Sequence, residues 1–70
     1  MVFNGAPFAD AVRELGRYVA EPVVLASRQR DGEPVSGTFM TRDASDAIAA
    51  LADTQGLRAR RIPGVVILIS

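Results

Sequence analysis

The sequence predicts an α+β fold in which two helices pack with two small β-sheets. Apolar residues recur at helical spacing in two segments, and short β-branched or alternating runs lie beside them. Gly and Pro turn signals separate these runs. The predicted order is strand–helix–strand followed by strand–helix–strand–strand, which makes two βαβ-like halves. The helices carry too little apolar surface to cover one large open sheet, so two small sheets are the expected arrangement.

The first half begins with a short strand at Met1–Phe3 and a turn at Asn4–Pro7. Apolar residues then fall at i, i+3, i+4, i+7 and i+11 over Phe8–Val19, which predicts an amphipathic helix. Gly16 weakens this helix by about 1 kcal/mol relative to Ala, and we expect it to allow close packing against a neighbouring backbone. A short β-branched strand follows at Val23–Leu25.

The second half begins with an alternating strand over Val35–Met40. Asp43 is a favourable N-cap for a helix over about Ala44–Gln55, and Asp46 suits the positive end of the helix dipole. Helix capping therefore explains both carboxylates better than a cation site or an acid–base pair does. Gly56 is the expected left-handed residue that ends the helix.

The chain ends in a predicted hairpin with a type II turn at Pro63-Gly64. A two-residue connection pairs Arg60 with Ile67 and turns Leu68 toward the core. The apolar side chains placed on the outer face beside the arginines are Val65, Ile67 and Ile69. The alternative is a bulge at Arg60-Arg61 that redistributes the two faces. An apolar outer stripe would suit a protein–protein surface or an edge that accepts another strand.

Composition excludes several classes of function for residues 1–70, which we expect to form one domain. The chain is 49% hydrophobic and 23% charged, unlike a disordered segment. It contains no His and no Cys, so the common zinc sites and the Ser-His and Cys-His nucleophile pairs are excluded. Eight basic residues balance eight acidic ones, which argues against nucleic-acid binding through bulk charge. We therefore predict no enzyme, no cofactor and no small-molecule substrate.

Two further features bear on partners. All eight basic residues are Arg, and Arg58, Arg60 and Arg61 are the clustered ones. Arg58 and Arg60 share one face of a strand, which is either a solvated face or a contact with an acidic partner. Binding of single-stranded nucleic acid would require exposed aromatic side chains, and the three Phe residues are expected in the core.

The sequence contains no targeting segment that can be recognised. Its start lacks a basic region followed by a long apolar run, so it does not predict a signal peptide. The longest apolar run, Val65–Ile69, is far shorter than the roughly 20 residues of a membrane span. Because the chain stops at Ser70 directly after that run, we expect it to be a piece of a longer protein.

Four segments resemble the C-terminal periplasmic domain of FecR-type sigma-factor regulators. They are Phe8–Tyr18, Pro22–Leu25, Val35–Phe39 and Asp46–Leu51. The same fold occurs in the short N-terminal domain of secretins and TonB-dependent receptors, in which a Gly-Thr-Gly-Leu motif resembles Thr54–Leu57. Asp53 stands where that motif has its first glycine, and Arg17-Tyr18 with Phe39 favours the regulator over the receptor.

The resemblance implies signalling rather than catalysis. It implies a periplasmic interaction module of an inner-membrane anti-sigma regulator, joined to the membrane only through the rest of the longer chain. The implied partner is the signalling domain of an outer-membrane TonB-dependent receptor that takes up iron–siderophore complexes. The alternative is that the chain is itself the N-terminal signalling domain of such a receptor or of a secretin.

The resemblance brings no catalytic residues to this chain. We expect partner contact through a sheet edge, formed by the strand Val65–Ile69 together with Arg58 and Arg60. The partner-contact residues predicted on that strand are Val65, Ile67 and Ile69. A homodimer formed through the same last strand is a further expectation.

Overall fold

The computed structural model describes residues 1–70 and has the predicted α+β architecture of two helices and two small sheets. A short 3-10 turn at Thr41–Asp43 precedes the second helix. The elements in chain order are β1 (Val2–Pro7), α1 (Phe8–Gly16), β2 (Val23–Leu25), β3 (Pro34–Thr38), α2 (Ala44–Thr54), β4 (Ala59–Ile62) and β5 (Val66–Ile69).

The two halves contribute to the sheets in the same way. The first strand of each half, β1 or β3, enters an antiparallel two-stranded sheet. The later strands form a three-stranded sheet in the order β2-β5-β4, in which β2 runs parallel and β4 antiparallel to β5. The helices contact each other, α1 packs against strands of both sheets, and α2 packs against β4.

Helix α1 forms because its apolar residues share one face. Phe8, Val12 and Leu15 are all buried on that face. The helix ends at Gly16 rather than at the predicted Val19, because the backbone hydrogen bonds change there from the α-helical pattern to that of a tighter turn. The N–H groups of the next two residues donate to carbonyls three residues back, at 3.3 and 3.0 Å.

Helix α2 packs closely against α1 through alanines. Ala44, Ala47 and Ala52 are buried, as is Ala11 on α1, so the two backbones can approach each other. The core shared by the helices and the sheets consists of Phe3, Phe8, Ala11, Val12, Leu15, Val35, Ala44, Ala47, Ile48, Leu51, Ala52, Ile67 and Ile69.

The two ends of α2 differ from each other. Gly56 has a φ of +71°, and the N–H of Leu57 donates to the carbonyl of Ala52 at 2.9 Å, so the predicted left-handed cap forms a Schellman motif. Asp43 occupies the N-cap position, but its side chain makes no capping hydrogen bond. The predicted role of Asp43 as a hydrogen-bonding cap is therefore wrong.

Strand β1 is longer than the sequence predicted, because Gly5 is a bulge residue and not part of a turn. The pairing with β3 shifts between Asn4 and Ala6. Gly5 has a φ of +72° and donates its N–H to the Ser36 hydroxyl at 2.9 Å. The extra residue lets the strand continue to Pro7.

The glycine in β3 makes room for an aromatic ring. A Cβ atom at Gly37 would lie 3.0 Å from the ring of Phe39, which is tighter than most contacts of real Cβ atoms, so the ring would have to shift. The centroid of the Phe39 ring lies 6.1 Å from that of Phe3, and the two rings are tilted by 50°, which is a typical geometry for an aromatic pair.

The register of the last hairpin differs from the predicted one. The type II turn is present, since Gly64 has a φ of +74° and the Val65 N–H donates to the Ile62 carbonyl at 2.9 Å. The strands, however, pair Ile62 with Val66, so Val65 belongs to the loop. A shift of one residue moves every β5 side chain to the opposite face.

The residues predicted on the outer face of β5 are therefore misplaced. Ile67 and Ile69 are 2% and 0% exposed and belong to the core. Val65 is 59% exposed, but it lies in the turn rather than on the strand. Leu68 was expected in the core and instead faces outward.

The position of β5 in its sheet gives a second correction. β5 is the central strand, with β2 on one side and β4 on the other. Its backbone groups are used in both ladders, so it is not an edge. Neither a partner strand nor a second copy can pair with it.

Substitutions on β5 and in the preceding turn test the register. We expect Ile69→Ala to lower the free energy of unfolding by about 2–5 kcal/mol, because it leaves a cavity in the core. Val65→Ala should change it by less than about 0.5 kcal/mol, because Val65 is exposed. Urea denaturation followed by circular dichroism measures both, and equal effects would contradict this register.

Two glycine substitutions test the helix ends. We expect Gly56→Ala to lower the free energy of unfolding by about 1–2 kcal/mol, because the left-handed conformation crowds a Cβ atom. Gly16→Ala should be neutral or raise it by up to about 1 kcal/mol. A Cβ atom at Gly16 would touch only the Val23 side chain, at 3.4 Å. Thermal melting measures both variants. The melting temperature should fall for Gly56→Ala and should stay the same or rise for Gly16→Ala.

Candidate functional site

The face of the three-stranded sheet that points away from the helices is the candidate interaction surface. In the ladder, Leu68 lies between Val24 and Arg60, and Val66 lies beside Ile62. We call these five residues the outer sheet face. Val24 and Ile62 are 45% and 49% exposed, while Val66 and Leu68 are half-buried. The hairpin does form an apolar outer stripe, but from residues other than Val65, Ile67 and Ile69.

Arg58 and Arg60 are the predicted site residues that the structure brings to this surface together. Arg58 exchanges two backbone hydrogen bonds with Ser70, at 2.9 and 3.0 Å, which extends the β4–β5 ladder by one pair. Arg58, Arg60 and Ile62 alternate along β4 and therefore share the outer side. Both arginines are exposed, and neither has a carboxylate within 4.0 Å. Their charges remain available to a partner.

The free edge of β4 lies beside these arginines. Because the backbone groups of Arg58 point toward β5, those of Ala59 and Arg61 point away from the sheet. A shallow depression of about 550 Å³ separates this edge from α2, with Ala49 and Ala50 on the helix side. The unpaired N–H and carbonyl groups of this edge are therefore available to hydrogen-bond with another chain.

The opposite edge of the sheet, on β2, is also open. The carbonyl of Pro22 and the N–H of Ala26 bond to β5, at 2.9 and 2.8 Å. Since backbone groups alternate along a strand, those of Val23 and Leu25 point away from β5. The sheet therefore has two free edges, with the predicted contact strand between them.

Sequence reasoning missed a buried carboxylate that holds the hairpin in place. Glu21 is 4% exposed, and its Oε2 accepts hydrogen bonds from the Gly64 N–H at 3.0 Å and from Arg61 Nε at 3.1 Å. Its Oε1 is buried without a partner. Glu21 thereby ties the start of β2 to the β4–β5 turn. The partners lie 40 and 43 residues away along the chain, so no local pattern could have revealed the contact.

This environment lowers the pKa of Glu21 below its ordinary value of 4.5. The hydrogen bond from the Gly64 N–H is the largest cause, and Arg61 adds a hydrogen bond and an opposite charge. Burial acts in the other direction, but less strongly than these contacts together. The carboxylate form is therefore favoured in the folded protein.

The remaining acidic residues do not form a cluster. Nowhere in the chain do three or more acidic side chains come together in a way that could hold a metal ion. Asp43 lies 4.0 Å from Arg42, and Asp46 lies in the first turn of α2. These positions give no arrangement for paired acid–base chemistry.

Neither a model of a protein family nor a curated protein sequence matches this chain. Neither helix has the length and apolar character that crossing a membrane would require.

The Glu21 contacts predict a pH dependence of stability. Because the folded pKa is lowered, the stabilisation is present above pH 4.5 and is lost as the pH falls through the folded pKa. We expect Glu21→Gln to lower the urea midpoint at pH 7 and to approach wild type at low pH. The control variant Glu33→Gln removes an exposed carboxylate, and its urea midpoint should follow that of wild type over the same pH range. If the urea midpoints of Glu21→Gln and wild type differed by the same amount from pH 7 to pH 3, the stabilising role of the Glu21 carboxylate would be contradicted.

Proposed function

We propose that this chain is a protein–protein interaction module that binds another folded protein through its outer sheet face and the neighbouring edge of β4. The observation that carries the proposal is the apolar surface formed by Val24, Ile62 and Leu68, on the side opposite the helices. Arg58 and Arg60 border this surface without carboxylate partners. An apolar centre beside arginines is typical of protein interfaces.

The proposal does not include catalysis. The chain contains no His and no Cys, and no three of its acidic side chains come together as a metal site would require. The groups that are available at the outer sheet face are apolar side chains, guanidinium groups and the backbone of a strand edge. These groups recognise and orient a partner.

The resemblance to FecR-type regulators suggests the biological setting. We propose that the module belongs to a periplasmic part of an anti-sigma regulator and receives the signalling domain of an outer-membrane TonB-dependent receptor. In that setting it would transmit the state of iron–siderophore uptake to a sigma factor. The α+β architecture agrees with this resemblance, and the identity of the partner is a proposal.

A second candidate is the short N-terminal domain of a receptor or secretin. The segment Thr54–Leu57, which resembles the receptor motif, forms the end of α2 with its left-handed Gly56. The complete gene distinguishes the two candidates. A single membrane helix before this segment would indicate the regulator, and a β-barrel or secretin region after it would indicate the receptor or the pore.

Charge reversal tests the proposed surface. We expect Arg58→Glu with Arg60→Glu to weaken binding of purified receptor signalling domains by about tenfold or more, because an attractive charge becomes repulsive. The melting temperature should change little, since both side chains are exposed. Isothermal titration calorimetry measures the affinity.

The control carries the same change of charge elsewhere. Arg30→Glu with Arg42→Glu alters two exposed arginines outside the three-stranded sheet. This control should retain the affinity of wild type. If both double variants lost the same affinity, the effect would come from the change in net charge alone, and a binding site at Arg58 and Arg60 would be contradicted.

A further inference from the structure

A groove of about 520 Å³ lies between α1 and β2, separate from the β4 edge. We call it the α1–β2 groove. One wall is the face of α1 that carries Arg13, Gly16 and Arg17, and the other is β2. Arg28 and Asp31, from the loop after β2, also line it. The proposed function above makes no use of this groove.

The β2 wall offers unpaired backbone groups. Val23 and Leu25 direct their N–H and carbonyl groups away from β5, as the hydrogen bonds of Pro22 and Ala26 show. Their side chains pack against the core, which holds this short edge in an extended conformation. A strand edge of this kind pairs with an extended peptide.

The helix wall lies close to that edge at Gly16. A Cβ atom at Gly16 would lie 3.4 Å from the Cγ2 atom of Val23. The arginines one turn before and one residue after Gly16 are exposed. An added strand would therefore run beneath a row of guanidinium groups.

The charge of the groove is positive. Three arginines and one carboxylate line it. Arg28 has no carboxylate within 4.0 Å, while Arg13 and Arg17 contact Asp10 and Glu14 on their own helix, at 3.2 and 3.7 Å. Such exposed pairs contribute little stability, so carboxylates of a partner can replace them.

Asp31 lines the groove on the side of the loop after β2. Its backbone carbonyl accepts a hydrogen bond from the N–H of Ala9 at 3.0 Å, which fixes the loop against the start of α1. The Oδ1 atom of Asp31 is buried and has no hydrogen-bond partner.

We propose that the α1–β2 groove binds an extended peptide segment with carboxylate side chains at alternate positions. The segment adds to β2 as a further strand, and its backbone pairs with Val23 and Leu25. Every second side chain faces α1, so alternating carboxylates meet the arginines there. A second copy of this chain fits less well, because it would bring a second set of arginines to the same place.

Titration with a synthetic peptide tests the proposal. The probe is a fluorescein-labelled peptide of about eight residues in which Glu alternates with Val and Thr. We expect saturable binding by fluorescence anisotropy at low salt, weakening as salt is added. A peptide with Lys in place of Glu should not bind. Failure of the acidic peptide to bind would overturn the proposal.

Variants of the protein separate this groove from the outer sheet face. Arg13→Glu with Arg17→Glu should weaken peptide binding by about tenfold or more, and Arg13→Gln with Arg17→Gln should weaken it less, in the same direction. Arg58→Glu with Arg60→Glu should leave it within about twofold of wild type. If instead the Arg58 and Arg60 reversal weakened peptide binding and the Arg13 and Arg17 reversal did not, the peptide would bind at the β4 edge. That result would refute the present proposal and leave the proposed function unaffected.

The backbone contribution has its own test. Methylating alternate backbone nitrogens of the peptide removes its strand donors but keeps its charge, so we expect binding to be lost. In amide NMR spectra, the unmodified peptide should shift the signals of Val23 and Leu25. Equal binding of the methylated peptide would overturn strand addition, as would shifts confined to β4.

Discussion

The structure depends on the alternation of side chains along β5. Ile67 and Ile69 point inward and close the core against both helices, while Val66 and Leu68 point outward. Because β5 lies between β2 and β4, its backbone groups are all used within the sheet. The free edges of the sheet therefore belong to the two flanking strands. The apolar side chains that remain uncovered lie on the sheet face between these two edges. One central strand thus determines both the core and the surface.

Glu21 fixes the turn that leads into this strand. Its carboxylate links the beginning of β2 to Arg61 on β4 and to the turn at Gly64, so three neighbouring segments are joined by one side chain. A hairpin with a type II turn tends to splay its strands, and the extra loop residue Val65 together with the Glu21 contact accommodates that tendency. The carboxylate is nearly inaccessible to solvent, so its hydrogen bonds hold the turn where water competes little.

Local signals in the sequence were sufficient for the element order, the burial face of α1, the left-handed Gly56 and the turn at Pro63-Gly64. Each depends on neighbouring residues alone. The register of β5 was not predictable in this way, since one extra loop residue exchanges its two faces. The bulge at Gly5 resembled a turn because both use a glycine with positive φ. At the candidate site, Arg58 and Arg60 lie on the outer face as predicted, whereas Val66 and Leu68 take the places given to Ile67 and Ile69.

The two open edges have a consequence for how crowded copies of this protein behave. Unpaired strand edges can template aggregation, and proteins commonly protect them with short strands and positive charge. Here β2 has three residues and β4 has four, and arginines flank both. The net charge of the whole chain is zero, so this protection is local: the guanidinium groups oppose only the approach of one strand edge to another, and their effect fades as dissolved ions shorten the range of the repulsion.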